Sequence, residues 1–180
     1  MTTPTPQTDN KRSFPFRILL LGATLFFCIG CDQYTKKLAV DHLTNAPVKT
    51  YLDDTIRIQH VKNSGGFLGL GETLSPSSRF WVFTVINGLL LFGICLFLWK
   101  KRDIPIFSFF SLVLFLAGGI GNQIDRLMQQ GLVTDFLNLG IGPIRTGIFN
   151  VADVAISVGL LMLCWTWKQE TPQENEAPSK

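Results

Sequence analysis

The chain has 180 residues and a formal net charge of +3, with 47 % hydrophobic residues against 16 % charged. That balance excludes a disordered chain and is too apolar for an ordinary soluble domain. The small net charge calls for no nucleic-acid partner, so the placement of the basic residues carries more information than their sum.

Residues 1–12 are polar and rich in Thr and Pro, and read as a disordered cytoplasmic tail. The run Ile18–Cys31 is apolar, bounded by Arg17 and Asp32, and extended on the first side by Phe14 and Phe16. Arg17 can snorkel, so the run predicts a first membrane span. A rival reading takes Lys11–Cys31 as a cleavable secretory signal ending in a lipoprotein-type box, Cys28-Ile-Gly-Cys31. Two features count against it: Cys28 stands where such a box normally has Leu, and three more apolar spans follow where a soluble domain would be needed. The helix continues past Cys31 through Asp32-Gln-Tyr-Thr-Lys36, with Asp32 and Lys36 four apart on one face and the acid first.

Asn45-Ala-Pro47 breaks that helix. Ile56-Arg-Ile58-Gln alternates apolar and polar, the pattern of a half-buried strand. Asn63-Ser-Gly65-Gly66-Phe67 then predicts a turn, either a tight hairpin or a strand edge along which a peptide can lie. Ser75-Pro76 is a helix start. The uncharged run Phe80–Trp99 predicts the second span and Ile104–Ile124 the third, joined by Lys100, Lys101 and Arg102. Gly118, Gly119 and Gly121 let another helix come close. Asn122, Asp125 and Arg126 share a face, where the fork of Arg126 can hold carboxylates. In the following connection Val133-Thr-Asp135-Phe136-Leu137 can fold back to the membrane surface. Gly147–Trp167 predicts the fourth span, with Asp153 its one charge, about 9 Å below the start at 1.5 Å per residue. A carboxylate within a span costs on the order of 2.5–3.5 kcal/mol, which makes it a functional candidate; a structural acid paired with an arginine is the alternative. Residues 169–180 read as a second disordered cytoplasmic tail.

The predicted fold is therefore membrane α-helical, four spans in one domain over 13–168. Lys11, Arg12, Arg17, the 100–102 cluster and Lys168 put both termini and the short link in the cytoplasm, and 32–79 and 125–146 outside. The four cysteines lie in apolar runs, so no disulfide framework is expected; Cys28 and Cys31 have redox spacing but no soluble βα context, and packing in the membrane is the plainer reading. His42 and His60 are isolated, so no metal site and no cofactor is expected.

Two carboxylates near a wet membrane surface, Asp135 and Asp153, without a Ser/Lys, Cys/His or metal set, suggest an aspartyl pair. Like charges held close cannot both ionise readily, so the pair shares a proton: one carboxylate serves as base toward water and the other donates to a scissile carbonyl.

Five motifs carry a resemblance beyond this: Asp32-Gln-Tyr-Thr-Lys36, Asn63-Ser-Gly65-Gly66-Phe67, Gly121-Asn122-Gln-Ile-Asp125-Arg126, Val133-Thr-Asp135-Phe136 and Phe149-Asn150-Val-Ala152-Asp153. Together, in this order and across about Phe14 to Trp167, they resemble the lipoprotein signal peptidases (signal peptidase II). The resemblance implies aspartic proteolysis with Asp135 and Asp153 as the catalytic pair, supported by Asp32, Lys36, Asn63, Gly65, Asn122, Asp125, Arg126, Asn150 and Ala152. It further implies four transmembrane helices with a small extracytoplasmic β-sheet, in a bacterial inner-membrane enzyme acting on the extracytoplasmic side. The implied substrate is a diacylglyceryl-modified prolipoprotein cut before its lipidated Cys, with membrane lipid as a partner and globomycin-type peptides as inhibitors. Gly66 departs from the family's usual Ala. Two other classes stand beside this one. A silent paralogue binding lipidated peptides need not keep both acids. A transporter using Asp153 would often show internal repeats or a polar path across the whole membrane.

Overall fold

The computed structural model describes residues 10–66, 70–71, 73–101 and 103–170. Residues 1–9 and 171–180, most of the two expected tails, lie outside the described residues, as do Phe67 and Arg102. The inner ends of those tails are helical, since the first helix begins at Asn10 and the last ends at Glu170.

Four helices are long and apolar enough to cross a membrane. The first, α1 (Asn10–Leu43), has 34 residues. At 1.5 Å per residue it is about 51 Å long against about 30 Å of hydrocarbon, so one end must project. It stops at Asn45, which takes a left-handed φ of 60°, a conformation Asn tolerates better than most residues. The second, α2 (Pro76–Lys100), starts where Ser75 Oγ accepts the Ser78 N–H at 3.2 Å, with Pro76 in the first turn. Its stretch Phe80–Ile86 is π-helical. The third, α3 (Ile106–Met128), is the central helix: Phe109, Val113 and Leu116 join Leu91 and Leu98 of α2 in the main apolar cluster. The fourth, α4 (Val151–Glu170), lies closely along α3. The glycines permit that approach: a Cβ on Gly118 would run into the carbonyl oxygen of Ala152, and one on Gly159 would sit 2.7 Å from that of Ser111.

The outward surfaces of α1, α2 and α4 carry exposed Phe26, Phe92, Trp99 and Leu161, as a lipid-facing surface requires. Cys31, Cys95 and Cys164 are free thiols on those same exposed surfaces, with only Cys28 partly covered. Cys31 and Cys164 therefore face outward rather than packing between helices, while Cys95, though exposed, borders an open slot between α1 and α2.

Between the helices lies a four-stranded antiparallel sheet, in the order β1 (Lys49–Tyr51), β2 (Ile56–Asn63), β3 (Val133–Ile141), β4 (Ile144–Arg145). The β1–β2 turn places Leu52, Asp53 and Asp54 at positive φ. Arg57 clamps it, its Nε donating to Asp54 Oδ1 at 2.7 Å. The stretch Val133–Leu137, expected only to fold back toward the membrane, is the buried start of β3, with Asp135 opposite Val61 and Val133 opposite Asn63. The strand also reaches forward to the chain before α4. The N–H groups of Phe136 and Leu137 both donate to the Phe149 carbonyl, at 3.1 and 2.9 Å, and Phe149 N–H returns to Leu137 at 2.8 Å.

That pairing corrects the expected start of the fourth span. Gly147–Phe149 are held outside the helix, and α4 begins at Val151 rather than near Gly147. Asp153 is consequently in the first turn of α4, not about 9 Å down it.

Candidate active site

The site lies where the sheet meets the helix ends, and Asn150 is its hinge. Asn150 caps α4 reciprocally with Asp153: Asp153 N–H donates to Asn150 Oδ1 at 2.9 Å, and Asn150 N–H to Asp153 Oδ2 at 3.1 Å. This is a capping box with Asp in the acidic role, a local reason for an acid at this helix start. The same Asn150 donates from Nδ2 to Asp135 Oδ1 at 2.6 Å. One residue thus ties the two acids together, its side-chain amide bonding the carboxyl on β3 and its backbone N–H the carboxyl on α4. Each acid accepts a second amide, Asp135 from Asn63 Nδ2 at 2.8 Å and Asp153 from Asn122 Nδ2 at 2.9 Å. Both are buried, Asp135 1 % and Asp153 5 % exposed. Burial pushes the Asp135 carboxyl up to about 6; the nearby Asp153 charge adds to the rise, while the hydrogen bonds from Asn63 and Asn150 oppose it.

Behind the pair stands a buried ionic cluster. Lys36 Nζ lies 2.8 Å from Asp32 Oδ2 and 3.2 Å from Asp125 Oδ2, and donates to Asn122 Oδ1 at 2.9 Å. The Asp32–Lys36 pair expected at the mouth of the membrane is therefore no surface contact: Lys36 is 3 % exposed. Asp32 Oδ1 accepts the N–H of Ala152 at 2.9 Å, which fixes the first turn of α4. Asp125 Oδ2 accepts the N–H of Thr134 at 2.9 Å, which fixes β3 one residue before Asp135. Gln33, which sequence reading passed over, donates to Asp32, Asp125 and the Gly121 carbonyl, each at 3.1 Å. Gly121 leaves room for this: a Cβ there would stand 2.8 Å from Asp32 Oδ2.

The role expected for Arg126 needs correction. Its Nη2 donates to the Gly65 carbonyl at 2.9 Å, and its guanidinium lies 5.6 Å from the ring centre of Phe83. It pins the loop after β2, while Lys36 holds the carboxylates. That loop is closed again by Asn63, which accepts the Gly65 N–H at 2.8 Å and donates to the Gly66 carbonyl at 3.0 Å. At Gly66 the consequence is spatial: a Cβ would come within 2.8 Å of Phe83 Cε1, so an alanine there requires the ring to move.

A pocket of about 320 Å³ opens beside Asp153. It is framed by Phe83 and Asn87 of α2, Phe115 and Asn122 of α3, and Ile156 of α4, with Arg126 at its edge. The Nε of Arg126 is buried there without a hydrogen-bond partner. Phe83, Asn87, Phe115 and Ile156 were not foreseen from sequence, because each sits in an apolar run where nothing separates a lipid-facing side chain from a pocket wall. All eleven expected site residues converge on this end of the molecule, although Gly65 and Ala152 contribute backbone groups only.

A family model described as Signal peptidase (SPase) II matches residues 24–168. The chain belongs to the signal peptidase II family. Among signal peptidase II relatives, the lipoprotein signal peptidase of Halalkalibacterium halodurans is 34 % identical over 132 residues, covering 73 % of this chain and 81 % of the relative. That of Borrelia duttonii is 32 % identical over 158 residues, covering 85 % and 89 %. A solved bacterial membrane enzyme superposes with a TM-score of 0.70 at 25 % identity over 92 % of this chain and 95 % of that one. As a signal peptidase II, the chain is a multi-pass bacterial membrane protease of the lipoprotein-processing kind.

Proposed function

We propose that this signal peptidase II is an aspartic endopeptidase that cuts diacylglyceryl-modified prolipoproteins immediately before the lipidated Cys, with Asp135 and Asp153 as the catalytic pair. The observation that carries the reading is the double attachment of Asn150, which holds the buried Asp135 carboxyl next to Asp153, itself at the wall of the pocket. Burial raises Asp135 to about 6, and the pair holds one proton between its two carboxyls. Asp153 takes a proton from water as the water oxygen bonds to the scissile carbonyl carbon, and Asp135 gives its proton to the carbonyl oxygen. In the second step a hydroxyl proton of the tetrahedral carbon returns to Asp135 as the carbonyl re-forms, the C–N bond breaks, and Asp153 gives the proton it took from water to the amide nitrogen of the departing Cys. One proton then remains on the pair, as at the start. Arg126 Nε, unpaired beside the pocket, is suited to donate to a substrate carbonyl oxygen. Asp32, Lys36, Asn122 and Asp125 position the pair, Asn63 and Gly65 shape the loop over it, and Ala152 supplies its N–H to Asp32.

The unit doing this is 13–168, with both tails cytoplasmic and the sheet end of the bundle extracytoplasmic. Membrane lipid surrounds the apolar helices, and a globomycin-type peptide occupies the pocket in competition with substrate. Purified protein incubated with a lipidated precursor, and with the same precursor lacking the lipid, tests the reading. Product masses should show one cut before the modified Cys and none in the unmodified precursor. Cleavage at another bond, or equal cleavage of both, overturns it.

A further inference from the structure

At the end of the bundle away from the carboxyl pair lies a second cavity, of about 230 Å³. It is a slot between α1 and α2 with α3 as its floor, lined by Leu21 and Leu25 of α1, Cys95 and Leu98 of α2, and Phe109 and Ile120 of α3. Phe109 to Ile120 spans about 16 Å of helix, so the slot is elongated along the membrane normal. Its lining is apolar, apart from two basic residues, Arg17 and Lys101.

Arg17 is not fully partnered. Its Nη2 donates to the Ile104 carbonyl at 2.6 Å and its guanidinium lies 5.2 Å from the ring centre of Phe109. Its Nε and Nη1 are enclosed without a hydrogen-bond partner. Charged donors shut away from water are unfavourable unless an acceptor is supplied. The catalytic scheme uses neither basic residue, and Arg17 is about 22 Å along α1 from Asp32.

We propose that this slot binds an anionic phospholipid, one acyl chain lying along α3 and the headgroup phosphate meeting Arg17 and Lys101. The chemistry is complementary at both ends. The long apolar channel suits hydrocarbon, and two cations at its polar end suit a phosphate, which Arg binds with several N–H groups at once. A zwitterionic lipid fills the channel equally well but gains less from the charges.

The test is native mass spectrometry of the full chain in detergent, supplied with phosphatidylglycerol or phosphatidylcholine of identical acyl chains. The wild type should retain phosphatidylglycerol about 30-fold over phosphatidylcholine, at about 1 kcal/mol for each of the two basic residues near the headgroup. The double variant R17Q/K101Q should lose the preference, and R17K should keep most of it. C95W, which fills the channel and leaves both cations, should lose retention of both lipids. Because Lys101 and Cys95 are exposed, K101Q and C95W carry the test if R17Q fails to fold. Equal retention of the two lipids by the wild type overturns the proposal, as does a preference unchanged in K101Q and the double variant. So does retention untouched by C95W, which moves the lipid to the outer surface. Displacement by inorganic phosphate would make this a free-anion site, and a dimer mass in place of lipid adducts would give the slot to a second copy of the chain.

Discussion

At the scale of single residues, the site depends on amides as much as on acids. Asn150, Asn122 and Asn63 each donate to a member of the carboxyl pair, and Asn150 donates to both. Asp153 was legible in the sequence because a carboxylate in an apolar run is costly; Asp135, in the connection between spans, was legible as the acid of an apolar segment that can return to the membrane surface. The division of labour between Arg126 and Lys36 was not, because spacing puts residues on a face without saying which neighbour they reach. Asn150→Ala should lower kcat by about 100-fold, the scale of a positioned polar group lost from an active site. Substrate affinity, drawn from lipid and signal helix, should change little; a loss confined to KM contradicts this. The proton on Asp135 gives a second expectation. Its folded pKa, about 6, is raised. The stability this group contributes is therefore fully present below the unfolded value of about 3.9 and lost as pH rises through about 6. The proposed scheme needs the same proton for catalysis, so the pH–rate profile should be bell-shaped, with its upper limb at or above about 6 once bound substrate excludes water. An upper limb below about 5 contradicts it.

At the scale of elements, helices were the most readable part, since an uncharged run of about 20 residues admits few other readings. Their ends were less so. The start of α4 is decided by Phe149 pairing with Leu137, a contact twelve residues away in sequence. The strand β3 was missed as a strand because Val133–Phe136 are buried on both faces and show no alternation. The element contacts also change what Lys36 means. Sequence spacing alone gives an intrahelical pair of a few tenths of a kcal/mol. Here Lys36 joins α1 to α3 by neutralising Asp32 and Asp125, which in turn hold α4 and β3. Lys36→Ala leaves two buried acids short of their cation and should destabilise the protein by about 3–5 kcal/mol. Thermal unfolding in detergent reads this directly, and a midpoint equal to wild type refutes the linkage.

At the scale of the whole molecule, four spans and a sheet bring two distant segments to one end of the bundle. The proposed orientation, drawn from the Lys and Arg placement, turns that end outward. Reporter fusions after Lys101 and after Gln130 should therefore lie on opposite sides of the membrane, the first inside; both on one side contradicts the orientation. The convergence itself was only partly legible. Sequence put Asp135 and Asp153 on the same side of the membrane, and the β3–Phe149 pairing, invisible in the pattern, is what sets Asn150 between them.

The central claim is that these two carboxyls act as one catalytic unit, and its most direct measurement is cleavage of a lipidated precursor by Asp135→Asn, Asp153→Asn and the double variant, each reconstituted and checked for folding and for substrate binding. Each single variant should bind substrate and lose on the order of 1,000-fold or more in kcat, with the double variant little worse than either, because members of a unit are strongly non-additive. Robust turnover by either folded single variant, or losses that multiply in the double, would contradict the claim.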